Sequence, residues 1–314
     1  MKTFIVGIIA AFGVSLLFIL ILLPLLRRLK AGQYILGYVK EHKDKGGTPT
    51  MGGLAFIAAI IVVGLCIVGV NDSKINFTFA ITAGFAVVGF LDDFLKIYRK
   101  ENEGLKPYQK IIFQLAIACI AAVYCYINGI TSLYIPFDKG EKFNMGWGII
   151  PLVLFVFLAC VNCVNLTDGL DGLAGGTSIT YLFVFGIMLA LQEVNQAIIC
   201  FIAVGAIGAF LLLNANKASI FMGDTGSLAL GGFISCVSVF TENTLYIPLL
   251  GIMFVISGIS VIMQVIYYKR TRRRIFLMAP LHHHFQMKGY TECKIAYTYA
   301  VITAIIGMIC LVFM

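Results

Sequence analysis

Long apolar runs without Asp, Glu, Lys or Arg dominate this chain. Hydrophobic residues make up 60% of its 314 residues, and charged residues only 12%. A run of about 20 apolar residues crosses a bilayer as an α-helix, because a helix satisfies its own backbone hydrogen bonds. The runs therefore predict an all-α polytopic membrane protein of about ten helices. The predicted spans are 3–26, 52–70, 76–91, 111–128, 149–164, 177–191, 196–213, 227–240, 246–267 and 295–314.

The distribution of basic residues predicts the orientation of these spans. All but four of the 23 Lys and Arg residues lie in the loops after odd-numbered spans or just before the last span. Because positively charged loops face the cytoplasm, we expect those loops inside and both termini on the outer side. The same rule accounts for the net charge of +8, which therefore gives no argument for a nucleic-acid partner.

The remaining loops predict little extramembrane structure. Only the segment at about 129–148 is long on the outer side, and its Asp-Lys-Gly sequence between short apolar runs indicates a small surface hairpin. No linker or low-complexity tract interrupts the chain. We therefore expect one integral-membrane domain over residues 1–314.

Five aspartates and three of the four histidines lie in or beside the loops that follow the third, fifth, seventh and ninth spans, on the predicted cytoplasmic side. This clustering at one membrane face is the main argument for a functional site, and it does not depend on any motif. These residues are Asp92 and Asp93 after the third span, Asp168 and Asp171 after the fifth, Asp224 after the seventh, and His282, His283 and His284 after the ninth.

Adjacent carboxylates at a membrane interface call for a cation, because like charges repel and solvation there is incomplete. For Asp92 and Asp93 that cation is either Lys96, one turn further along, or a metal ion; the alternative is a solvated helix end. Asp224 fits either a ligand contact or a helix N-cap. Carboxylates without a cysteine cluster favour Mg²⁺, and the chain has no Walker sequence.

Basic residues on the same side suggest an anionic, phosphate-bearing substrate. They include Lys45, Lys96 and Lys110, together with the run KRTRRR at 269–274. The run by itself is equally explained by the preference of positive charge for cytoplasmic loops.

Five stretches, in order along the chain, carry a resemblance to a known family. The five stretches are GTPTMGG (47–53), LDDFLK (91–96), NLTDGLDGLAGG (165–176), FMGDTGSLALGG (221–232) and MAPLHHHFQMKG (278–289). By these stretches the chain resembles the polyprenyl-phosphate N-acetylhexosamine-1-phosphate transferases, and two of them, TPTMGG and APLHHHF, point to the muramoyl-pentapeptide branch.

The resemblance implies a reaction and a cellular location. We expect transfer of phospho-N-acetylmuramoyl-pentapeptide from its UDP-activated form to undecaprenyl phosphate, which releases UMP and forms lipid I for peptidoglycan synthesis. The resemblance also implies Mg²⁺ as cofactor, a homodimer, and a bacterial cytoplasmic membrane with the active site on its cytoplasmic face.

It further implies roles for individual residues. The catalytic residues would be Asp92, Asp93 and Asp224, with Asp224 as the metal ligand, and His282, His283 and His284 would line the pyrophosphate region. The residues that would bind substrate are Lys45, Thr48, Lys96, Lys110, Asn165, Asp168, Asp171, Asn214 and Phe221, the last against the uracil.

Other interpretations follow from the same residues. A sister transferase would use another UDP-N-acetylhexosamine. A secondary transporter for an anionic metabolite would place its binding residues near the bilayer midplane, where these spans hold no charge. Within the transferase interpretation, direct attack by the lipid phosphate is favoured over a phospho-aspartate intermediate. Pro248 and Gly258 suggest that the ninth span is broken beside a lipid groove.

Overall fold

The computed structural model describes residues 1–29, 32, 47–69, 71–101, 103–138 and 140–314. Over these residues the fold is helical apart from one two-stranded hairpin. The helices are α1 (Lys2–Arg28), α2 (Gly53–Val68), α3 (Ser73–Arg99), α4 (Pro107–Ile127), α5 (Ile149–Thr167), α6 (Leu173–Leu191), α7 (Ala197–Asn214), α8 (Gly223–Phe240), α9 (Ile247–Leu250), α10 (Ile252–Thr271), α11 (Leu281–Met287) and α12 (Glu292–Val312).

The predicted all-α membrane architecture is confirmed. Nine helices of the described part of the chain are long and apolar enough to cross a bilayer. The helix at the second predicted span, α2, has only 16 residues, or about 24 Å at 1.5 Å per residue. It is therefore shorter than a hydrocarbon core of about 30 Å. The outward placement of both termini stays a prediction from the charge distribution.

The ninth predicted span is divided into two helices. The short helix α9 has Pro248 in its first turn and ends at Gly251, after which α10 begins. The break therefore falls at Gly251, whereas Gly258 lies inside α10 and packs against Cys163 of α5. Further along α10, Ile262 and Met263 are exposed, so this helix is not packed along its whole length.

The helix α8 occupies the centre of the bundle and is buried almost throughout. Small residues let its neighbours approach its backbone. A methyl group on Gly89 of α3 would overlap the main-chain carbonyl of Asp224, and one on Gly53 of α2 would overlap Gly226. In lipid, close packing of this kind stabilises helix association, because apolar surface gains little from leaving the hydrocarbon. The crossing with α3 places Asp224 beside the polar end of that helix.

The helix α3 continues beyond its apolar part. The predicted span ends at residue 91, but the helix runs on to Arg99 and ends where Lys100 adopts a left-handed conformation. Asp92 and Lys96 are thereby one turn apart on one helix face. Asp92 and Asp93 are only 1% and 2% exposed, so the alternative of a solvated helix end is wrong.

The predicted hairpin is confirmed, and its placement on the outer side stays a prediction from the charge distribution. Strands β1 (Ser132–Tyr134) and β2 (Lys142–Asn144) pair antiparallel. The main-chain N–H of Tyr134 donates to the carbonyl of Glu242, and Lys142 forms an ion pair with the Glu242 side chain. These contacts attach the hairpin to the end of α8 that is remote from Asp224.

The α3–α8 crossing gives a test of this packing. We expect Gly89→Ala to lower the free energy of unfolding by about 1–3 kcal/mol, because the added methyl group must displace backbone. Thermal unfolding in detergent would measure the loss. The control is Gly13→Ala on α1, where the added methyl group meets nothing within 4 Å. Equal unfolding midpoints for the two variants would contradict the close approach.

Candidate active site

Three aspartates meet where α3 crosses α8. Asp92 and Asp93 come from α3 and Asp224 from the first turn of α8. One carboxylate oxygen from each lies within 4.8 Å of the others. Such a group of buried or half-buried carboxylates is compatible with a divalent metal ion, which hard oxygen ligands favour.

Two lysines offset most of the negative charge of these three carboxylates. The ammonium nitrogen of Lys96 lies 2.6 Å from Oδ2 of Asp92 and 2.9 Å from Oδ2 of Asp224. Lys110 of α4 lies 2.7 Å from the same Asp224 oxygen and 3.3 Å from Oδ1 of Asp92. Lys96 is thus the cation that the adjacent aspartates require, and Lys110 is a second one. Buried charges that lack partners destabilise a fold strongly.

Asp93 anchors the start of α8. Its Oδ1 accepts a hydrogen bond from the main-chain N–H of Asp224 at 3.1 Å. Its Oδ2 accepts from the N–H of Thr225 at 2.9 Å and from the Thr225 hydroxyl at 2.7 Å. The N–H groups of Asp224 and Thr225 belong to the first turn of α8, where a helix leaves its N–H groups without partners. Gly223 turns the chain into this helix with φ of 73°, in the left-handed region that glycine tolerates.

Asp224 itself does not cap its helix. Within the described residues its carboxylate makes no capping bond to the start of α8. Its Oδ1 instead accepts from the side-chain amide of Asn165 at 2.7 Å, and the same amide contacts the Ser227 hydroxyl at 2.8 Å. Of the two interpretations that the sequence allowed for Asp224, the ligand contact is the one compatible with this geometry.

The loop after α5 holds the other two predicted aspartates in different environments. Asp168 is half-buried, and burial together with the nearby carboxylates of Asp224, Asp93 and Asp171 raises its pKa to about 8. Asp171 is buried, and its Oδ2 accepts from the main-chain N–H of Ala218 at 2.9 Å. Asp168 therefore belongs to the electrostatics of the site, whereas Asp171 ties two loops together.

Asn214 and Phe221 also join loops. Asn214 accepts from the main-chain N–H of Gly172 at 3.1 Å and donates to the carbonyl of Ile220 at 3.0 Å. The N–H of Phe221 donates to the carbonyl of Pro49 at 2.8 Å, beside the half-buried Thr48. The stretches around 48, 172 and 221 thus converge near the start of α8. Lys45 lies outside the described residues.

The three histidines lie on α11; His282 and His283 face the loop after α5, whereas His284 contacts Phe276 and the main-chain N–H of Leu277. His282 is fully buried, and its Nε2 lies 2.5 Å from where a Cβ on Gly169 would be. Burial and the neighbouring His283 hold the pKa of His282 well below its usual range. The carboxylate cluster that could hold a metal contains no histidine among the described residues. The imidazoles of His282 and His283 therefore line the acidic loop beside Gly169.

Sequence reasoning did not single out Thr225, Gln286 or Glu292. Thr225 lies within GDTGS, so the only available signal was its place next to Asp224. Glu292 accepts from the main-chain N–H of Asp171 at 2.8 Å, and Gln286 contacts His283 at 3.0 Å. The contact of Glu292 joins segments distant in sequence, whereas that of Gln286 lies within α11 at the three-residue spacing of a helix face.

Comparison with known proteins agrees with this geometry. A family model described as Glycosyl transferase family 4 matches residues 75–242, which span α3 to the end of α8. Proteins named Phospho-N-acetylmuramoyl-pentapeptide-transferase are similar over nearly the whole chain. The one from Clostridium perfringens (strain 13 / Type A) is 44% identical over 305 residues, covering 96% of this chain and 95% of the relative. The one from Bacillus subtilis (strain 168) is 41% identical over 311 residues, covering 96% and 95%.

The chain is an integral-membrane transferase. Its long helices are apolar enough to span a membrane, a carboxylate–lysine cluster lies at one end of the bundle, and a transferase family model matches the sequence. The chain belongs to glycosyl transferase family 4 and, within it, to the phospho-N-acetylmuramoyl-pentapeptide-transferase group of the polyprenyl-phosphate N-acetylhexosamine-1-phosphate transferases. The family resemblance seen in the five sequence stretches is thereby confirmed.

The buried His282 predicts a pH dependence of stability. Its folded pKa is lowered from an ordinary value of about 6.5. Below pH 6.5 the unfolded chain binds a proton that the folded chain excludes, so this residue costs stability as the pH falls. We expect His282→Met to unfold at increasingly higher temperature than the wild type between pH 7 and pH 5. A temperature gap that is constant across this range would contradict a buried neutral imidazole.

Proposed function

We propose that this chain transfers phospho-N-acetylmuramoyl-pentapeptide from its UDP-activated form to undecaprenyl phosphate, releasing UMP and forming lipid I. The observation that carries the proposal is the carboxylate–lysine cluster at the polar ends of α3 and α8. The names of the relatives indicate which group is transferred, phospho-N-acetylmuramoyl-pentapeptide. We place the reaction at the cytoplasmic face of a bacterial cytoplasmic membrane. Residues 1–314 would form one domain, and two copies of the chain would form a homodimer.

The residues present fit a magnesium ion. Mg²⁺ binds oxygen at about 2.1 Å, so two ligands on opposite sides are about 4.2 Å apart. The three carboxylate oxygens lie within 4.8 Å of one another, and small side-chain movements would complete such a site. Asp224 is the proposed main ligand, with Asp92 and Asp93 beside it. The ion would supply neutralisation of phosphate charge.

The lysines address the main difficulty of the reaction, which is repulsion between two anions. The second pKa of a phosphate monoester is about 6, so the lipid phosphate is largely dianionic at pH 7. Phosphoryl transfer then depends mainly on positioning and on charge neutralisation. Lys96 and Lys110 carry positive charge beside Asp224. They would draw the phosphates together and stabilise UMP as it leaves.

The hydrogen bonds of the aspartates support direct attack by the lipid phosphate. Both oxygens of Asp93 accept bonds from the start of α8, so this carboxylate is poorly placed to act as a nucleophile. Asp92 is held by Lys96, by Lys110 and by the N–H of Leu105. In the proposed mechanism Asp92 orients the lipid phosphate or accepts its last proton, and no phospho-aspartate forms.

The location of the site fits one soluble and one membrane-bound substrate. The carboxylate cluster lies where the apolar parts of α3 and α8 end, so a headgroup at the membrane face can reach it. The apolar tail of the lipid would lie along α10, whose Ile262 and Ile266 are exposed. A transporter would instead need its polar residues near the bilayer midplane.

An activity assay tests the function and its closest alternative. Purified protein with undecaprenyl phosphate and Mg²⁺ is expected to release UMP from UDP-N-acetylmuramoyl-pentapeptide and not from UDP-N-acetylglucosamine. Chelation of Mg²⁺ and the Asp224→Asn substitution are each expected to lower the rate by at least about 100-fold. The matched control is Asp138→Asn in the exposed outer hairpin. Preferred use of the smaller sugar would establish the sister activity instead.

Isotope exchange tests the direct route. If no covalent intermediate forms, radiolabelled UMP will not enter the UDP-sugar when the lipid acceptor is absent. Scintillation counting of the separated UDP-sugar measures this exchange, and addition of undecaprenyl phosphate provides the positive control. Rapid exchange without the acceptor would establish a phospho-enzyme and overturn direct attack.

A further inference from the structure

A chain of hydrogen bonds connects the start of α12 to one of the three histidines. Oε2 of Glu292 accepts from the main-chain N–H of Asp171 at 2.8 Å. Oε1 of Glu292 accepts from the side-chain amide nitrogen of Gln286 at 3.3 Å. The amide oxygen of Gln286 lies 3.0 Å from Nδ1 of His283. The chain thus runs from the acidic loop through two side chains to an imidazole that faces the same loop.

The chemistry of each group fixes the direction of these bonds. An ionised carboxylate only accepts hydrogen bonds, so Gln286 must turn its amide NH₂ towards Glu292. Its oxygen then faces His283, and an amide oxygen also only accepts. Nδ1 of His283 must therefore carry a proton. The partner of one ring nitrogen decides the state of the other.

The second ring nitrogen of His283 faces the acidic loop after α5. Nε2 lies 2.9 Å from where a Cβ on Gly169 would be, next to Asp168. With the proton on Nδ1, the lone pair of the neutral ring lies on Nε2. His284 shows the opposite arrangement, because its Nδ1 accepts from the main-chain N–H of Leu277 at 3.1 Å. The tautomers of these neighbours are therefore chosen separately, by their own partners.

We propose that Glu292 and Gln286 are positioning residues that keep the proton of His283 on Nδ1, so that Nε2 accepts a hydrogen bond or a proton from a donor group of the bound substrate. The importance of this for turnover rests on the proposed function. The substrate partner of His283 Nε2 is then a hydrogen-bond donor, such as a hydroxyl, an amide or a protonated phosphate oxygen. Neither Glu292 nor Gln286 needs to touch the substrate.

The substitution Glu292→Gln is expected to reverse the chain. The new side chain must still accept from the N–H of Asp171 with its oxygen, so its NH₂ faces Gln286. Gln286 then rotates its amide to accept this bond and turns its own NH₂ towards His283. Nδ1 becomes the acceptor, and the proton moves to Nε2, the side that faces the substrate.

The double variant Gln286→Glu with Glu292→Gln should restore the original state. It keeps the same atoms and the same net charge but exchanges the two positions. The carboxylate at position 286 accepts from the amide at 292 and from Nδ1–H of His283. A merely structural need for a carboxylate at position 292 would not be met by this exchange, so restoration distinguishes positioning from folding.

Nitrogen-15 NMR of histidine-labelled protein reads the tautomer directly, with the His283→Gln spectrum identifying the signal. We expect Nδ1–H in the wild type, Nε2–H in Glu292→Gln, and Nδ1–H again in the double variant. The value of kcat for UMP release should fall about tenfold or more in the single variant and recover in the double variant. The control is Glu141→Gln in the exposed hairpin, which should change neither quantity.

The inference is overturned if Glu292→Gln leaves the His283 signal unchanged, or if the double variant fails to restore it. Should Glu292→Gln not fold, Gln286→Lys provides the second test, since an ammonium group donates to both Glu292 and Nδ1 and must also give Nε2–H. An unchanged His283 signal in Gln286→Lys would also overturn the inference. The NMR result does not depend on turnover, so an inactive wild type would count against the proposed function alone.

Discussion

The structure depends on the burial of three carboxylates at one end of a membrane-embedded helix bundle. Asp92, Asp93 and Asp224 are held together although like charges repel, and two lysines supply the compensating charge. A buried charge without a partner costs several kcal/mol. The positions of α3, α4 and α8 are therefore linked, because each contributes a member of this cluster.

The same contacts make the packing of the bundle and the geometry of the site inseparable. The close approach at Gly89 brings the backbone of α8 to α3, and Asp93 then satisfies the N–H groups that begin α8. Asp224 is aimed at the lysines by this anchor. The carboxylate–lysine cluster is thus built on the long helices themselves, with α3, α4 and α8 each contributing a member.

Parts of the site were predictable because they follow local rules. The pairing of Asp92 with Lys96 comes from the four-residue spacing on a helix. The gathering of aspartates and histidines at one face came from counting spans. Other features were not predictable. Asp171 and Asn214 bond to the backbone of distant loops, and Glu292 at the start of α12 bonds both to the main chain of Asp171 and to Gln286 of α11. Periodicity and spacing contain no information about such pairings.

The sequence by itself determined that the chain spans a membrane as helices, since lipid leaves apolar runs no alternative that satisfies their backbone. It also determined which residues could carry chemistry, because charge is rare in such a chain and lies outside the apolar runs. The tertiary structure alone decided that Asp224 faces two lysines instead of capping its helix, that the ninth span breaks at Gly251, and that His282 and His283 line the acidic loop. These outcomes depend on which helices touch, and that is set by the shape and small residues of surfaces far apart in sequence.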